Sequence, residues 1–109
     1  MPAYQAADFM QASLVSLSAQ TYANFDVIVS VYLCDDATYD VCVSHAGLDP
    51  RFRVIRQASR LGYVGNCNFL LGQADADNVL FAFHDDILAP SYVEKLCLLL
   101  DQRPEVVMA

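Results

Sequence analysis

FDVIVSVYLCDD, residues 25–36, decides the fold. From Phe25 to Cys34 the run is nearly continuous in hydrophobicity and rich in Val, Ile and Tyr, and it stops on Asp35 and Asp36. A strand exposed on one face would alternate apolar and polar residues. An almost unbroken β-branched run predicts a strand buried on both faces, as in a parallel sheet. VLFAFHDD, residues 79–86, repeats the pattern, with Val79–Phe83 as strand running into His84, Asp85 and Asp86.

The flanking segments read as helices. Between Ala6 and Gln20, Met10, Leu14 and Leu17 share one helical face, while Ser13, Ser16 and Gln20 share another. After a polar break at Tyr22–Asn24 and the first strand run, Thr38 caps a short helix through Val41, Val43 and Ala46, which Gly47 ends. Arg53–Arg56 is a shorter strand, and Asn66–Ala74 a helix with Phe69 and Leu70 inward, closed by a turn at Asp75–Asn78. Past Pro90, Ser91 and Glu94 have capping-box spacing ahead of a helix that buries Val93, Leu96, Cys97 and Leu100 and stops at Arg103–Pro104. Val106–Met108 starts a further strand. Strands alternating with helices over 109 residues predict one α/β domain, residues 1–109, around a parallel sheet. Ligands of such sheets bind beyond the carboxyl ends of the strands, where both acidic pairs fall.

Composition narrows the function. Net charge is −7, which argues against nonspecific nucleic-acid binding, since that rests on Lys and Arg neutralising phosphates. Arg51, Arg53, Arg56 and Arg60 nevertheless cluster, either as a solvated connector or as a local phosphate contact. The longest apolar runs fall far short of the roughly 20 residues that span a bilayer. No signal-peptide pattern opens the chain, so a cytoplasmic location is expected. Cys34, Cys42, Cys67 and Cys97 lack the paired spacing of a zinc site and read as reduced thiols used as small hydrophobes. A hydrophobic fraction of 56% and a mean hydropathy of +0.32 are high for a small domain, which suits strands buried on both faces or an apolar surface that meets further sequence.

Two carboxylates directly after a buried strand are costly unless solvated, hydrogen-bonded or bound to a cation. Mg²⁺ and Mn²⁺ take oxygen ligands and share them with substrate phosphates, needing only one or two protein carboxylates. Asp85 and Asp86 therefore read as a metal–diphosphate pair or as plain helix-capping acids ahead of Pro90; Asp35 and Asp36 read equally as a site or a cap.

Four stretches, in order along the chain, resemble one family. Pro2-Ala3-Tyr4-Gln5, a helix, and Ala19-Gln20-Thr21-Tyr22-Ala23-Asn24-Phe25 look like the opening of glycosyltransferase family 2, with its P-x-Y-N turn and AQTYPNF segment. Val31 to Thr38 is similar to the family's V-D-D-G-S strand end. Arg53-Val54-Ile55-Arg56-Gln57, followed by Gly62 and Asn68, is similar to its R-V-I-R-Q-x-N-x-G stretch with a downstream Asn. Phe83 to Pro90 resembles its acidic metal motif in an H-D-D variant.

The resemblance implies a Rossmann-like GT-A nucleotide-binding half, with the family's first strand missing. It implies an inverting, metal-dependent transfer of sugar from a nucleotide-diphosphate sugar to a saccharide or lipid-linked acceptor, as in polysaccharide biosynthesis. Tyr4 would lie against the base; Asp36 would accept from a base N–H with Asp35 in support; Arg60 and Asn68 would sit near the diphosphate. Asp85 and Asp86 would hold Mn²⁺ or Mg²⁺ and the donor ribose or diphosphate, with His84 as a further candidate ligand. The acceptor site and general base are expected beyond Ala109, so turnover by residues 1–109 alone is not expected, and the full-length protein has room for peripheral membrane association. The segment from Phe25 to Asp35 is longer than the family's common form, which leaves room for a bulge. Two other classes fit less of the pattern. A non-catalytic nucleotide-sugar-binding or regulatory module would keep the donor site alone. A phospho-accepting receiver would need a lysine at a later strand end, whereas Lys95 falls within a predicted helix.

Overall fold

The computed structural model describes residues 1–106. In chain order the elements are β1 (Pro2–Ala3), α1 (Ala7–Ser18), β2 (Val27–Val31), α2 (Thr38–Ala46), β3 (Phe52–Arg56), α3 (Gly62–Gln73) and α4 (Tyr92–Gln102). The strands form a parallel sheet in the order β1-β2-β3, with β2 central.

Alternation along β2 divides the sheet into two chemically different faces. Val27, Val29 and Val31 join Met10, Leu14 and Leu17 of α1, Cys42 of α2 and Phe52 of β3 in one apolar core. Ser30 faces the other way and is wholly buried; its Oγ donates to Asn66 Oδ1 of α3 at 2.5 Å, and Asn66 Nδ2 donates to the Ser30 carbonyl at 3.1 Å. Gln57 Nε2 closes the group by donating to Ser30 Oγ at 2.8 Å. One polar residue in an otherwise apolar strand thus fixes the position of a helix. Helices α1 and α2 cover the valine face, and α3 the serine face.

Several sequence expectations are corrected. The first strand is present in short form, because Pro2 and Ala3 pair with Ser30 and Val31, and Met1 extends the contact by accepting from Ser30 N at 2.9 Å. The strand run at residues 25–34 contributes only Val27–Val31 to the ladder, and it pairs with Phe52–Arg56 residue for residue, with no bulge. Val79–Phe83 is not assigned as a strand. Ala82 still belongs to the apolar core, and Ser13 Oγ anchors the segment's end by donating to the His84 carbonyl at 2.7 Å. Its lining neighbour β1 is only two residues long, which offers few backbone groups for a ladder.

Helix α3 begins four positions before Asn66. Gly62, at φ +71°, makes the left-handed entry to it, which a side chain would oppose. The Tyr32 hydroxyl bonds to the Gly62 carbonyl and ties this entry to the end of β2. Ser91 is the N-cap of α4, but the capping box does not form. Glu94 instead accepts from Thr21 Oγ1 at 3.0 Å, while Val93 N–H donates to Gln20 Oε1 at 3.0 Å. Tertiary partners thus engage the Glu94 carboxylate and the Val93 N–H of the first turn. Val93, Leu96, Cys97 and Leu100 are half-buried rather than buried, since the segment before α4 adds no strand for it to cover. Of the strand expected at Val106–Met108, residues 107–109 lie outside the described residues.

At the opposite end of the sheet from the acidic pairs, Asp49 receives Arg51 through Nε at 3.0 Å and Nη2 at 2.7 Å, and Ser18 Oγ donates to it at 2.8 Å. Ser18 Oγ, its proton committed to Asp49, accepts from His45 Nε2 at 2.9 Å. The Arg51 bonds hold the Asp49 carboxyl below the usual carboxylate range, and burial pushes the His45 imidazole below its own despite Asp49 nearby. Both groups therefore bind protons more readily in the unfolded chain, and stability should rise with pH. The expected result is a falling unfolding midpoint from pH 7 to 5, as unfolded His45 gains a proton near its ordinary value of about 6.5 and the folded one resists. A further fall is expected below about pH 4 as the carboxylates protonate. His45→Gln should flatten the first limb and leave the second.

Candidate functional site

The carboxyl ends of β1 and β2 place the first group of side chains. Beyond Ala3 the chain turns sharply at Gln5, whose φ of +45° lies in the left-handed region that non-glycine residues seldom occupy. That turn aims Gln5 Nε2 at Asp35 Oδ1, 3.4 Å away. Tyr4 meets Tyr32 edge to face, with ring centroids 5.6 Å apart. The Arg60 guanidinium lies 4.7 Å over the Tyr4 ring and donates to its hydroxyl. Tyr4 and Arg60, separated by most of two crossover units in sequence, are thus in contact.

The two aspartates after β2 are not equivalent. Asp36 Oδ2 accepts from Ala7 N at 3.2 Å and Thr38 Oγ1 at 2.8 Å, and its Oδ1 accepts from Thr38 N at 3.1 Å. Thr38 Oγ1 in turn accepts from Ala6 N at 2.8 Å. Asp36 therefore ties the starts of α1 and α2 together. Burial alone would raise its pKa, but the bonds from Thr38, Cys34 and Ala7 outweigh it and lower the carboxyl to about 2. Asp35 is exposed and carries only the long Gln5 contact. Its acceptor capacity is free, whereas most of that of Asp36 is spent on the fold.

The second acidic pair borders a cavity of about 410 Å³ lined by Tyr63, Phe83, His84, Asp85 and Asp86. A small apolar pocket of about 60 Å³ lies between Pro2, Ala3, Tyr4, Tyr32, Tyr63, Phe83 and His84. Tyr63, Phe83 and His84 line both, so the Tyr4 end and the Asp85/Asp86 end adjoin. Asp85 and Asp86 are exposed, and among the described residues neither carboxylate has a side-chain hydrogen bond. His84 is half-buried, with Nδ1 3.4 Å from the Pro2 carbonyl.

His84, Asp85 and Asp86 do not form a three-ligand cage; among the described residues no three His, Cys, Asp or Glu side chains are so placed. All three nevertheless border the same cavity, on a turn closed by Asp86 N donating to the Phe83 carbonyl at 3.3 Å. The donor set of two free carboxylates still fits a hard cation that takes its other ligands from phosphate and water. Asn68 is exposed on α3, two positions after the buried Asn66 that holds Ser30. Sequence reasoning missed Gln5, Tyr32, Tyr63, Phe83 and Asn66, each of which acts through a partner distant in the chain. The positive φ of Gln5 and the Gly62 that sets Tyr63 beside Phe83 leave no periodic signal.

A parallel sheet with helices on both faces, and with acids and aromatics gathered at its carboxyl edge, defines an open α/β ligand-binding domain. Within that class the chain belongs to glycosyl transferase family 2, whose model matches residues 1–109. It is 30% identical over 108 residues to an uncharacterized glycosyltransferase of Haemophilus influenzae, a match that covers 95% of this chain and 32% of that protein. It is 31% identical over 94 residues to the putative glycosyltransferase EpsH of Bacillus subtilis, covering 85% of this chain and 27% of that one. The chain thus spans about a third or less of the curated relatives it matches. Its fold matches S. aureus TarS with a TM-score of 0.85 at 24% identity, over 94% of this chain and 19% of TarS. The same score is found against TarS 1–349 in complex with UDP, of which it covers 31%. The α/β architecture is that of the GT-A fold.

Proposed function

We propose that this chain is the donor-binding part of a glycosyltransferase that takes its sugar from a nucleoside diphosphate. The observation that carries the reading is the continuous edge from Tyr4, Arg60 and Asp35, through the shared Tyr63–Phe83–His84 wall, to the free carboxylates of Asp85 and Asp86. TarS, similar in fold, is described with UDP bound, in keeping with a pyrimidine diphosphate as the first ligand to try.

Tyr4 presents a ring for the base, and Asp35, with its free oxygens, accepts from a base N–H. Asp36 holds the turn that carries Asp35. Arg60 reaches the diphosphate from its place over Tyr4, as a guanidinium suits phosphate oxygens. Asp85 and Asp86 would hold Mn²⁺ or Mg²⁺, which when bound supplies positive charge against the charge building on the departing nucleoside diphosphate. The reaction we assign to the whole protein is inverting, with a saccharide or lipid-linked hydroxyl as acceptor and its general base outside residues 1–109.

Thermal unfolding of the chain with UDP, GDP and dTDP, each with Mn²⁺, tests this. One of the three is expected to stabilise the wild type, by about 2.7 kcal/mol at a hundredfold excess over Kd. The doubly substituted Asp85→Ala, Asp86→Ala chain should lose the Mn²⁺-dependent part of that gain. A wild-type midpoint that none of the three moves would sink the reading.

A further inference from the structure

Tyr63 is 62% exposed at the start of α3, an unusual place for so large a ring unless something covers it. Its ring stacks beside Phe83 with centroids 6.1 Å apart and planes 29° apart. Phe83 is in turn backed by Phe81 at 6.4 Å and 11°. The three rings run from half-buried Phe81 and Phe83 out to solvent at Tyr63, and the outer two, Phe83 and Tyr63, line the cavity that Asp85 and Asp86 border.

Aromatic faces and free carboxylates around one cavity make an amphipathic surface of a particular kind. A pyranose has a face of C–H groups, slightly positive, and a rim of hydroxyl donors. The C–H face meets the negative face of an aromatic ring, and the rim donates to carboxylate oxygens. A cation alone would need little of this space, and the open cleft of about 410 Å³ leaves room for a ring that keeps one face toward solvent. Tyr4 lines the adjoining pocket together with Tyr63 and Phe83, so the base end and this wall can be filled together.

We infer that Tyr63 and Phe83 are the stacking surface for the transferred sugar of the donor, and that Asp85 accepts from its hydroxyls; this rests on the nucleoside-diphosphate reading of the edge. Tyr63, the outermost ring, sets preference among sugars, because it alone can be changed without disturbing the core.

The test compares a nucleoside diphosphate with its sugar conjugates on the same chain. Binding of UDP, UDP-glucose and UDP-N-acetylglucosamine, each with Mn²⁺, is measured by titration calorimetry for wild type, Tyr63→Ala and Tyr63→Phe. Expected is that the wild type binds at least one conjugate more tightly than UDP, and that Tyr63→Ala weakens that conjugate about five- to tenfold while UDP changes less than twofold. Tyr63→Phe, which keeps the ring, should restore the conjugate's affinity. Equal losses for UDP and its conjugates in Tyr63→Ala, or no loss for either, would overturn the inference and leave the nucleotide reading intact. The same titrations are run with GDP and dTDP and their glucose conjugates, and a wild type that binds none of these nucleotides would instead count against the nucleotide reading itself.

Discussion

Asn66→Ala is expected to destabilise the chain by about 3 kcal/mol, enough to lower the unfolding midpoint by more than about 10 °C. Asn66 is fully buried and its amide engages Ser30 twice, at the hydroxyl and at the carbonyl of the central strand. Truncation leaves the Ser30 hydroxyl without its acceptor and opens a void between α3 and β2. The loss of one partner from a buried pair costs more than the pair contributed, because the remaining group stays desolvated. Removal of both partners should therefore be cheaper than the sum: Ser30→Ala combined with Asn66→Leu should lose clearly less than the two single changes added. Urea denaturation of wild type, Ser30→Ala, Asn66→Leu and the double variant checks this. Strict additivity would mean that the two side chains do not depend on each other and that α3 is held by something else.

The second large effect separates two neighbouring aspartates. Asp36→Ala should cost about 2 kcal/mol of stability, since it removes acceptors from Ala7 N, Thr38 N and the buried Thr38 hydroxyl at the starts of two helices. Asp35→Ala should cost under about 0.5 kcal/mol, because both aspartates are exposed but Asp35 makes only the long Gln5 contact. Ligand protection should follow the reverse order. With a bound nucleoside diphosphate, Asp35→Ala is expected to lose several-fold in affinity at unchanged stability, while Asp36→Ala shifts the unfolding curve even without ligand. Thermal melts of both variants with and without UDP and Mn²⁺ give both quantities. If Asp36→Ala proved as stable as wild type, the tie between α1 and α2 would not be where its hydrogen bonds place it.

How much of this could be read in advance depended on how local each signal was. The amphipathic stripe of Met10, Leu14 and Leu17 faces the core of α1, and the unbroken run around Val29 is the buried central strand, because both patterns repeat within a few residues. Helix α2 does run from Thr38 to Ala46, but Thr38 is not its cap: the N-cap is Ala37, the Thr38 hydroxyl donates to Asp36, and Gly47 follows the helix in a right-handed conformation. Val79–Phe83 carries an equally apolar run yet builds no ladder, since pairing needs a neighbour and β1 offers two residues. Ser91 and Glu94 have the spacing of a capping box, but Thr21 engages the Glu94 carboxylate and Gln20 caps the Val93 N–H from across the fold.

At the site the same division appears at finer grain. Sequence placed Asp35 and Asp36 at the carboxyl edge because they follow the central strand. The strand expected ahead of Asp85 and Asp86 does not form, and they lie beside β1 because Ala82 is in the core and Ser13 holds the His84 carbonyl. The family resemblance gives the base contact to Asp36 with Asp35 in support, whereas the hydrogen bonds of the fold engage Asp36 and leave Asp35 with the Gln5 contact alone. Only packing shows that helix starts consume the second and leave the first free. Nor could sequence set Arg60 over Tyr4 or Tyr63 beside Phe83, contacts between segments far apart in the chain. The sequence by itself determined the α/β class, the family and the acidic end of the central strand, which rest on patterns carried within each segment. Tertiary structure alone decided which carboxylates are free, which ring meets which, and that Asn66 holds Ser30, because a hydrogen bond or a stacked face exists only once both partners are in place.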